Sequence, residues 1–314
     1  MVKIDLITGF LGSGKTTFLK RYAEYFIRQG CNIGILENDY GAVNVDMMLL
    51  QELAGEYCEL EMISGGCDKE THRRRFRTKL IAMGMCGYDR VLVEPSGVFD
   101  MDEFFDVLRD EPLDRWYEIG SVITVVDAAI ERNLSEDASY VLASEAACAG
   151  KIVISHVDMA SDEQIKGIPS FINQALAGIR CKRVLPDKDF FTQGVFALVD
   201  KDFDKLASCG YVTAVYEKKY EIGQQGFGSE YFMNVNLSED AFKQAAKEIM
   251  QDQTCGKVFR IKGFLKKDDG TFLELNATKS GISVSEIAQG QEVMIVIGEK
   301  LNRERMESWV NLHS

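Results

Sequence analysis

The stretch Gly9-Phe10-Leu11-Gly12-Ser13-Gly14-Lys15-Thr16 decides the fold. It fits the phosphate-loop pattern G-x-x-x-x-G-K-[ST], and its flanks give the pattern mechanical meaning. Val2 to Ile7 is apolar and β-branched enough for a buried strand, while Thr16 to Gln29 carries Phe18, Leu19, Tyr22 and Phe26 at helical spacing and stops at Gly30. A glycine-rich turn therefore opens a helix, where backbone N–H groups converge on anionic oxygens at the positive end of the helix dipole. In such a loop Gly12, Ser13, Gly14 and Thr17 line the phosphates, Lys15 reaches the β- and γ-phosphates, and the Thr16 hydroxyl ligates Mg²⁺. The expectation is a nucleoside triphosphate site.

Further apolar, β-branched runs follow at 32–37, 57–63, 89–94, 120–127 and 151–155, with helical stretches between them. That alternation is the signature of a parallel sheet covered by helices. The expected fold class is α/β, a P-loop NTPase domain with a mainly parallel sheet over residues 1–210 and a smaller α+β domain over 211–314. Ligands of open α/β sheets sit beyond the carboxyl ends of the strands, and Glu37, Glu94, Asp127 and Asp158 each end or follow such a run. In the second part Tyr231 to Leu237, Lys257 to Leu265, Thr271 to Ala277 and Glu292 to Ile297 read as strands of an antiparallel sheet. An amphipathic helix runs from Ser238 to Met250. Gln224 to Ser229 is polar and glycine-rich enough for a loop or linker.

The bulk composition bounds the partners. A chain of 314 residues is long for one domain on a prior of about 150 residues each. A formal charge of −13 and a pI near 4.9 argue against nucleic acid, whose binding depends on neutralising phosphates. No apolar run approaches the roughly 20 residues of a membrane helix, and the N-terminus reads as strand and phosphate loop rather than signal peptide. A cytoplasmic location without membrane or nucleic-acid partners is expected. The eight cysteines show no C-x-x-C spacing, which predicts free thiols in a reducing compartment.

Downstream, Val91-Leu92-Val93-Glu94-Pro95-Ser96-Gly97 is an apolar strand ending in a carboxylate, with a glycine three residues later. Glu94 there orients the Mg²⁺ hydration shell, and the Gly97 N–H reaches the γ-phosphate without a Cβ in the way. Gly9 to Leu19 (GFLGSGKTTFL), Glu37 to Asp46 (ENDYGAVNVD), Ile63 to Cys67 (ISGGC), Glu94 to Gly97 (EPSG) and Val258 to Phe264 (VFRIKGF) together resemble the CobW-type family of P-loop GTPases. The resemblance spans nearly the whole chain. It implies a GTP-hydrolysing metal chaperone or metallocofactor-assembly protein, with a C-terminal domain carrying the R-x-K-G strand at Arg260 to Gly263.

Several positions depart from the family. Its N-E-F-G-E segment reads Asn38-Asp39-Tyr40-Gly41-Ala42 here, so Asp39 keeps a carboxylate and Ala42 loses one. Its C-x-C-C metal motif keeps only Cys67, with Lys69 and Glu70 at the other two places. Sites for Zn²⁺ or Co²⁺ favour several sulfur or nitrogen donors. A mixed site from Glu37 and Cys67, with Asp68, Glu70 or His72, is one reading; a small residue opening a helix is the other for Cys67. The guanine-reading N-K-x-D becomes Ser155-His156-Val157-Asp158, in which Asp158 supplies the discriminating carboxylate and the His156 ring replaces the Lys stem. Helix capping by Asp158 is the structural alternative. The basic run His72 to Arg77 reads as a solvated helix face, with an arginine finger across a homodimer as the alternative.

Together these imply a Mg²⁺-dependent GTPase whose hydrolysis is slow without a partner. Lys15, Asp39 and Glu94 act on the phosphates, Mg²⁺ or attacking water. GTP and a client metalloprotein or cofactor-assembly protein are the implied partners. A nucleotide-switched adapter that carries no metal, for a corrinoid or other metalloenzyme, and a small-molecule kinase are the other two classes.

Overall fold

Strand β1 (Val2–Thr8) is apolar on both sides, and both sides are used: Ile4 and Leu6 enter one core layer, Ile7 the other. Parallel strands covered by helices on both faces have this pattern. The computed structural model describes residues 1–39, 49–64, 69–95, 99, 101–219, 227–235, 237–267, 269–278, 281–287, 290 and 292–313. β1 lies at the centre of a parallel sheet, between β4 (Arg90–Pro95) and β5 (Tyr117–Asp127). Beyond β4 come β2 (Ile33–Asp39) and β3 (Cys58–Ser64), and beyond β5 come β6 (Lys151–Ser155) and β7 (Phe190–Phe191). The order is β3-β2-β4-β1-β5-β6-β7, with every pairing parallel.

The covering helices are α1 (Lys15–Arg28), α2 (Lys69–Gly84), α3 (Met101–Arg109), α4 (Leu113–Trp116), α5 (Glu136–Cys148), α6 (Asp162–Gly178) and α7 (Asp200–Ala207). α1 buries Phe18, Tyr22 and Phe26 against the sheet and against Phe203 of α7. A second bond fixes its position. Asp5, fully buried in β1, accepts from the Tyr22 hydroxyl at 2.8 Å and from the Ser121 N–H at 2.8 Å, and is paired with the Arg90 guanidinium. Arg90 in turn lies 4.6 Å from the centroid of the Phe26 ring. The helix that starts at the phosphate loop is thereby tied to three strands.

The chain divides into two compact units, Met1–Lys219 and Tyr220–Ser314. Residues just before the division pack on the first unit, with the Val212 N–H donating to Cys148 O at 3.1 Å and the Glu217 N–H to Ile179 O at 2.9 Å. The second unit is an antiparallel sheet made of β8 (Phe227–Met233), β9 (Lys257–Lys266), β10 (Phe272–Thr278), β11 (Gly281–Ile287) and β12 (Val293–Glu299) in the order β11-β10-β9-β12-β8. Helix α8 (Glu239–Gln251) buries Phe242, Ala245, Ala246 and Ile249 on this sheet and is capped by Ser238, whose hydroxyl accepts from the Ala241 N–H. Helix α9 (Arg303–His313) adds Met306 and Val310 to the same core. Gly263 in β9 is required by close approach, because a Cβ there would stand 2.1 Å from the Phe242 ring. The seven described cysteines are free thiols, and no helix among the described residues is long and apolar enough to cross a membrane.

Candidate functional site

The phosphate loop turns between β1 and α1 on glycines that other residues would strain. Gly14, at the N-cap of α1, has φ +86°, and a Cβ there would meet the His156 Nε2 and the Ser155 Cβ, each at 3.4 Å. Gly12 also has positive φ, at +78°. Lys15 is buried, its Nζ donating to the Gly9 carbonyl at 2.8 Å, and Thr17 is exposed. The Thr16 hydroxyl donates to Glu94 Oε1 at 3.0 Å across 78 positions of sequence.

Glu94 ends β4, and its register partner on β2 is Glu37. Both are nearly fully buried, at 3% exposure, and neighbouring strands run about 4.8 Å apart. Thr16, Glu94 and Glu37 thus form a row of oxygen donors at the carboxyl end of the sheet beside the phosphate loop. Asp39 ends β2, but its side chain lies outside the described residues, as do Cys67, Asp68 and Gly97. Among the described residues there is no group of three or more His, Cys, Asp or Glu side chains placed to hold a metal ion.

The segment Ser155 to Asp158 starts at the last residue of β6. Ser155 holds the place of the family's asparagine, and its hydroxyl donates to Ser13 O at 2.5 Å and lies 3.3 Å from Val126 O. A hydroxyl thus ties the segment to the phosphate loop. In the sequence, the signal for Ser155 is its place as the first residue of the altered motif. His156 adopts a left-handed conformation, φ +48°, and its Nδ1 lies 3.0 Å from Asp127 Oδ2. Asp127 Oδ1 accepts from the Ala129 N–H at 2.7 Å, which fixes the carboxylate. The imidazole therefore has a defined orientation against Gly14. Asp158 is exposed in the short turn Val157–Met159, and the cap of α6 is Ser161, in a capping box with Gln164. The capping alternative for Asp158 does not hold.

The basic run is amphipathic. Arg73, Arg74 and Arg75 are exposed while His72 and Phe76 are fully buried. His72 Nδ1 lies 2.9 Å from Glu103 Oε1, a buried contact that ties α2 to α3. His72 is engaged in the packing of α2, which corrects its reading as a solvated residue. Glu70 is exposed and pairs with Arg74 one turn on, at 3.2 Å.

Residues 3–177 match the CobW/HypB/UreG nucleotide-binding domain. Among curated relatives, a zinc chaperone, YjiA of Escherichia coli, is 26% identical over 170 residues, 52% of each chain. The zinc-regulated GTPase metalloprotein activator 1 of Schizosaccharomyces pombe is 25% identical over 57% of this chain and 44% of its own. The chain thus spans about half the length of the curated relatives it matches. A crystal structure of Zn(II)-bound YjiA GTPase from E. coli aligns over 100% of this chain and 99% of its own, at 18% identity and a TM-score of 0.36.

Proposed function

The chain belongs to the CobW/HypB/UreG nucleotide-binding family, and from that premise we propose that it is a Mg²⁺-dependent GTP-binding and GTP-hydrolysing protein that acts in metal delivery or metalloenzyme assembly. The observation that carries the reading is the row Thr16–Glu94–Glu37 beside the phosphate loop, with its 3.0 Å hydroxyl–carboxylate bond. Hydroxyl and carboxylate oxygens suit a hard cation such as Mg²⁺, which Thr16 and Glu94 would hold and which would offset the charge of the phosphates. Lys15, on leaving Gly9 O, brings an ammonium to the same phosphates. Phosphoryl transfer needs mainly positioning and charge stabilisation, so turnover is slow until a partner completes the site. Asp158 reads the guanine edge, and the His156 ring, oriented by Asp127, supplies the stacking surface.

Zn²⁺ or Co²⁺ is the cargo in this reading, and the names of the relatives support zinc. Lys69 and Glu70, standing where the family has cysteines, favour the second reading, a nucleotide-switched adapter that carries no metal. Nucleotide titration tests the shared premise. GTP is expected to bind roughly ten- to hundredfold more tightly than ATP, the roughly 1.5–3 kcal/mol of a hydrogen bond to a charged group, and Asp158→Ala to erase the difference. Lys15→Ala is expected to abolish phosphate release while remaining folded, at a stability cost of about 1 kcal/mol for the lost bond to Gly9 O. Equal affinity for GTP and ATP in the wild type removes the guanine assignment.

A further inference from the structure

Helix α5 carries a carboxyl group that the nucleotide chemistry above does not use. Glu145 has 0% exposure and sits directly behind the phosphate loop. Its side chain faces the Thr8 hydroxyl at the end of β1, the Gly9 N–H at the start of the loop, and the charge of Lys15. The backbone at the same residue is pinned, because Thr124 Oγ1 donates to Glu145 O at 3.2 Å. Among the described residues neither carboxyl oxygen closes a hydrogen bond of ordinary geometry, and the same holds for Thr8 Oγ1 and Ser13 Oγ. Ser13 Oγ belongs to the same small region, since a Cβ on Gly9 would stand 2.6 Å from it. Four buried polar atoms that close no well-aligned hydrogen bond are therefore gathered under one turn of the phosphate loop, with Thr8 and the Gly9 N–H the groups facing the carboxyl. Buried polar atoms are nearly always satisfied, and exceptions concentrate at functional sites.

We propose that Glu145 is a positioning residue of the phosphate site, a buried carboxyl behind Gly9 and Lys15 that is neutral when nucleotide is bound, so that binding takes up a proton. The inference rests on the nucleotide-binding reading above. As a carboxylate, Glu145 competes with the nucleotide for Lys15 and sets a negative charge behind the position of the phosphates, in a medium where charges are weakly screened. As a carboxylic acid it leaves the ammonium to the phosphates and gains an O–H donor towards the hydroxyl oxygens of Thr8 and Ser13. The elements packed on α5 are α3, α6 and β5, and Lys15 is the one charged group acting on Glu145 among the described residues. Burial pushes its pKa up to about 8, with Lys15, Thr8 and Gly9 pulling the other way. Its titration thus falls where a bound anion can shift it.

The experiment is GTP affinity from pH 7 to pH 9 for the wild type and Glu145→Gln, with Mg²⁺ present. Gln keeps the shape and cannot ionise. Wild-type affinity is expected to fall about five- to tenfold across the range, the size of a one-unit pKa shift, while the variant's own affinity moves less than about twofold. Any titration of the ligand is common to both proteins and cancels in the comparison. A second measurement needs no variant: calorimetry in two buffers of different ionisation enthalpy is expected to show the wild type taking up roughly half a proton per GTP at pH 8. A carboxyl that serves only the fold moves neither readout. Parallel pH profiles, or no proton uptake by the wild type, overturn the assignment of Glu145 alone. Failure of the wild type to bind GTP at any pH overturns the nucleotide-binding reading with it.

Discussion

At Ser155 one hydroxyl donor reaches Ser13 O and binds the end of β6 to the phosphate loop. Ser155→Ala leaves a buried carbonyl without that donor, at about 1 kcal/mol, so nucleotide affinity is expected to drop about fivefold, read by titration. An unchanged Kd means the loop is held by other bonds. Glu145 makes a separate prediction about stability. Its folded pKa of about 8 lies above the unfolded value near 4.3, so the folded state holds the extra proton between them. Its favourable contribution is complete below about pH 4 and is lost as pH rises towards 8, at about 1.4 kcal/mol per unit. Glu145→Gln is therefore expected to melt above the wild type at pH 8 and to lose that advantage towards pH 5. A constant gap between the two melting temperatures would falsify this.

Among the elements, β1 and α1 form the base on which the nucleotide site stands, and Asp5 joins them through the Tyr22 hydroxyl while pairing with Arg90 of β4. Asp5→Ala leaves the Arg90 guanidinium buried beside Phe26 and strips an acceptor from Tyr22 and Ser121, so a loss of about 3–5 kcal/mol is expected in urea denaturation. Arg28→Ala, which breaks the exposed pair with Asp200, is expected to cost less than about 1 kcal/mol. Similar costs for the two would show that the buried pair is not what holds α1. The strands from β1 to β6 were legible because each is a short apolar run between breakers. β11 was not, since Gly281 to Ile287 is a largely exposed edge with a weak apolar signal. α9 also escaped notice. Its polar sequence offers Met306 and Val310 to the core with Trp309 packed half-buried beside them, and Trp309 Nε1 is held by Asp252, 3.0 Å away and 57 positions earlier. The site divides in the same way. Lys15, Thr16 and Glu94 sit in local patterns, whereas Ser155 meets Ser13 across 142 positions, a pairing that only the folded sheet creates.

Across the whole molecule, the question is whether the nucleotide end of the sheet governs a metal. Thr16 is bonded to Glu94, Glu94 is in register with Glu37, and α2, which begins directly after the Cys67 segment, is tied to α3 by the buried His72–Glu103 contact. A change at the γ-phosphate can therefore be passed through Thr16 and Glu94 towards Glu37. With one cysteine where the family has three, a metal held by Glu37 and Cys67 binds more weakly than at a thiolate site and loses affinity as pH falls and the thiolate is protonated. Coupling to nucleotide of about 1–3 kcal/mol, or five- to 150-fold in affinity, is the ordinary range for such a switch. The measurement is Zn²⁺ and Co²⁺ titration of the wild type and Cys67→Ser, with a non-hydrolysable GTP analogue and Mg²⁺ present or absent. The net charge of −13 attracts cations non-specifically, so roughly 0.15 M salt is needed to screen that background. Expected are specific binding by the wild type, a shift of at least fivefold with the analogue, and loss of both in Cys67→Ser. If the variant binds metal as the wild type does, or neither binds specifically, Cys67 carries no cargo, and the nucleotide state acts on a client through protein contacts alone.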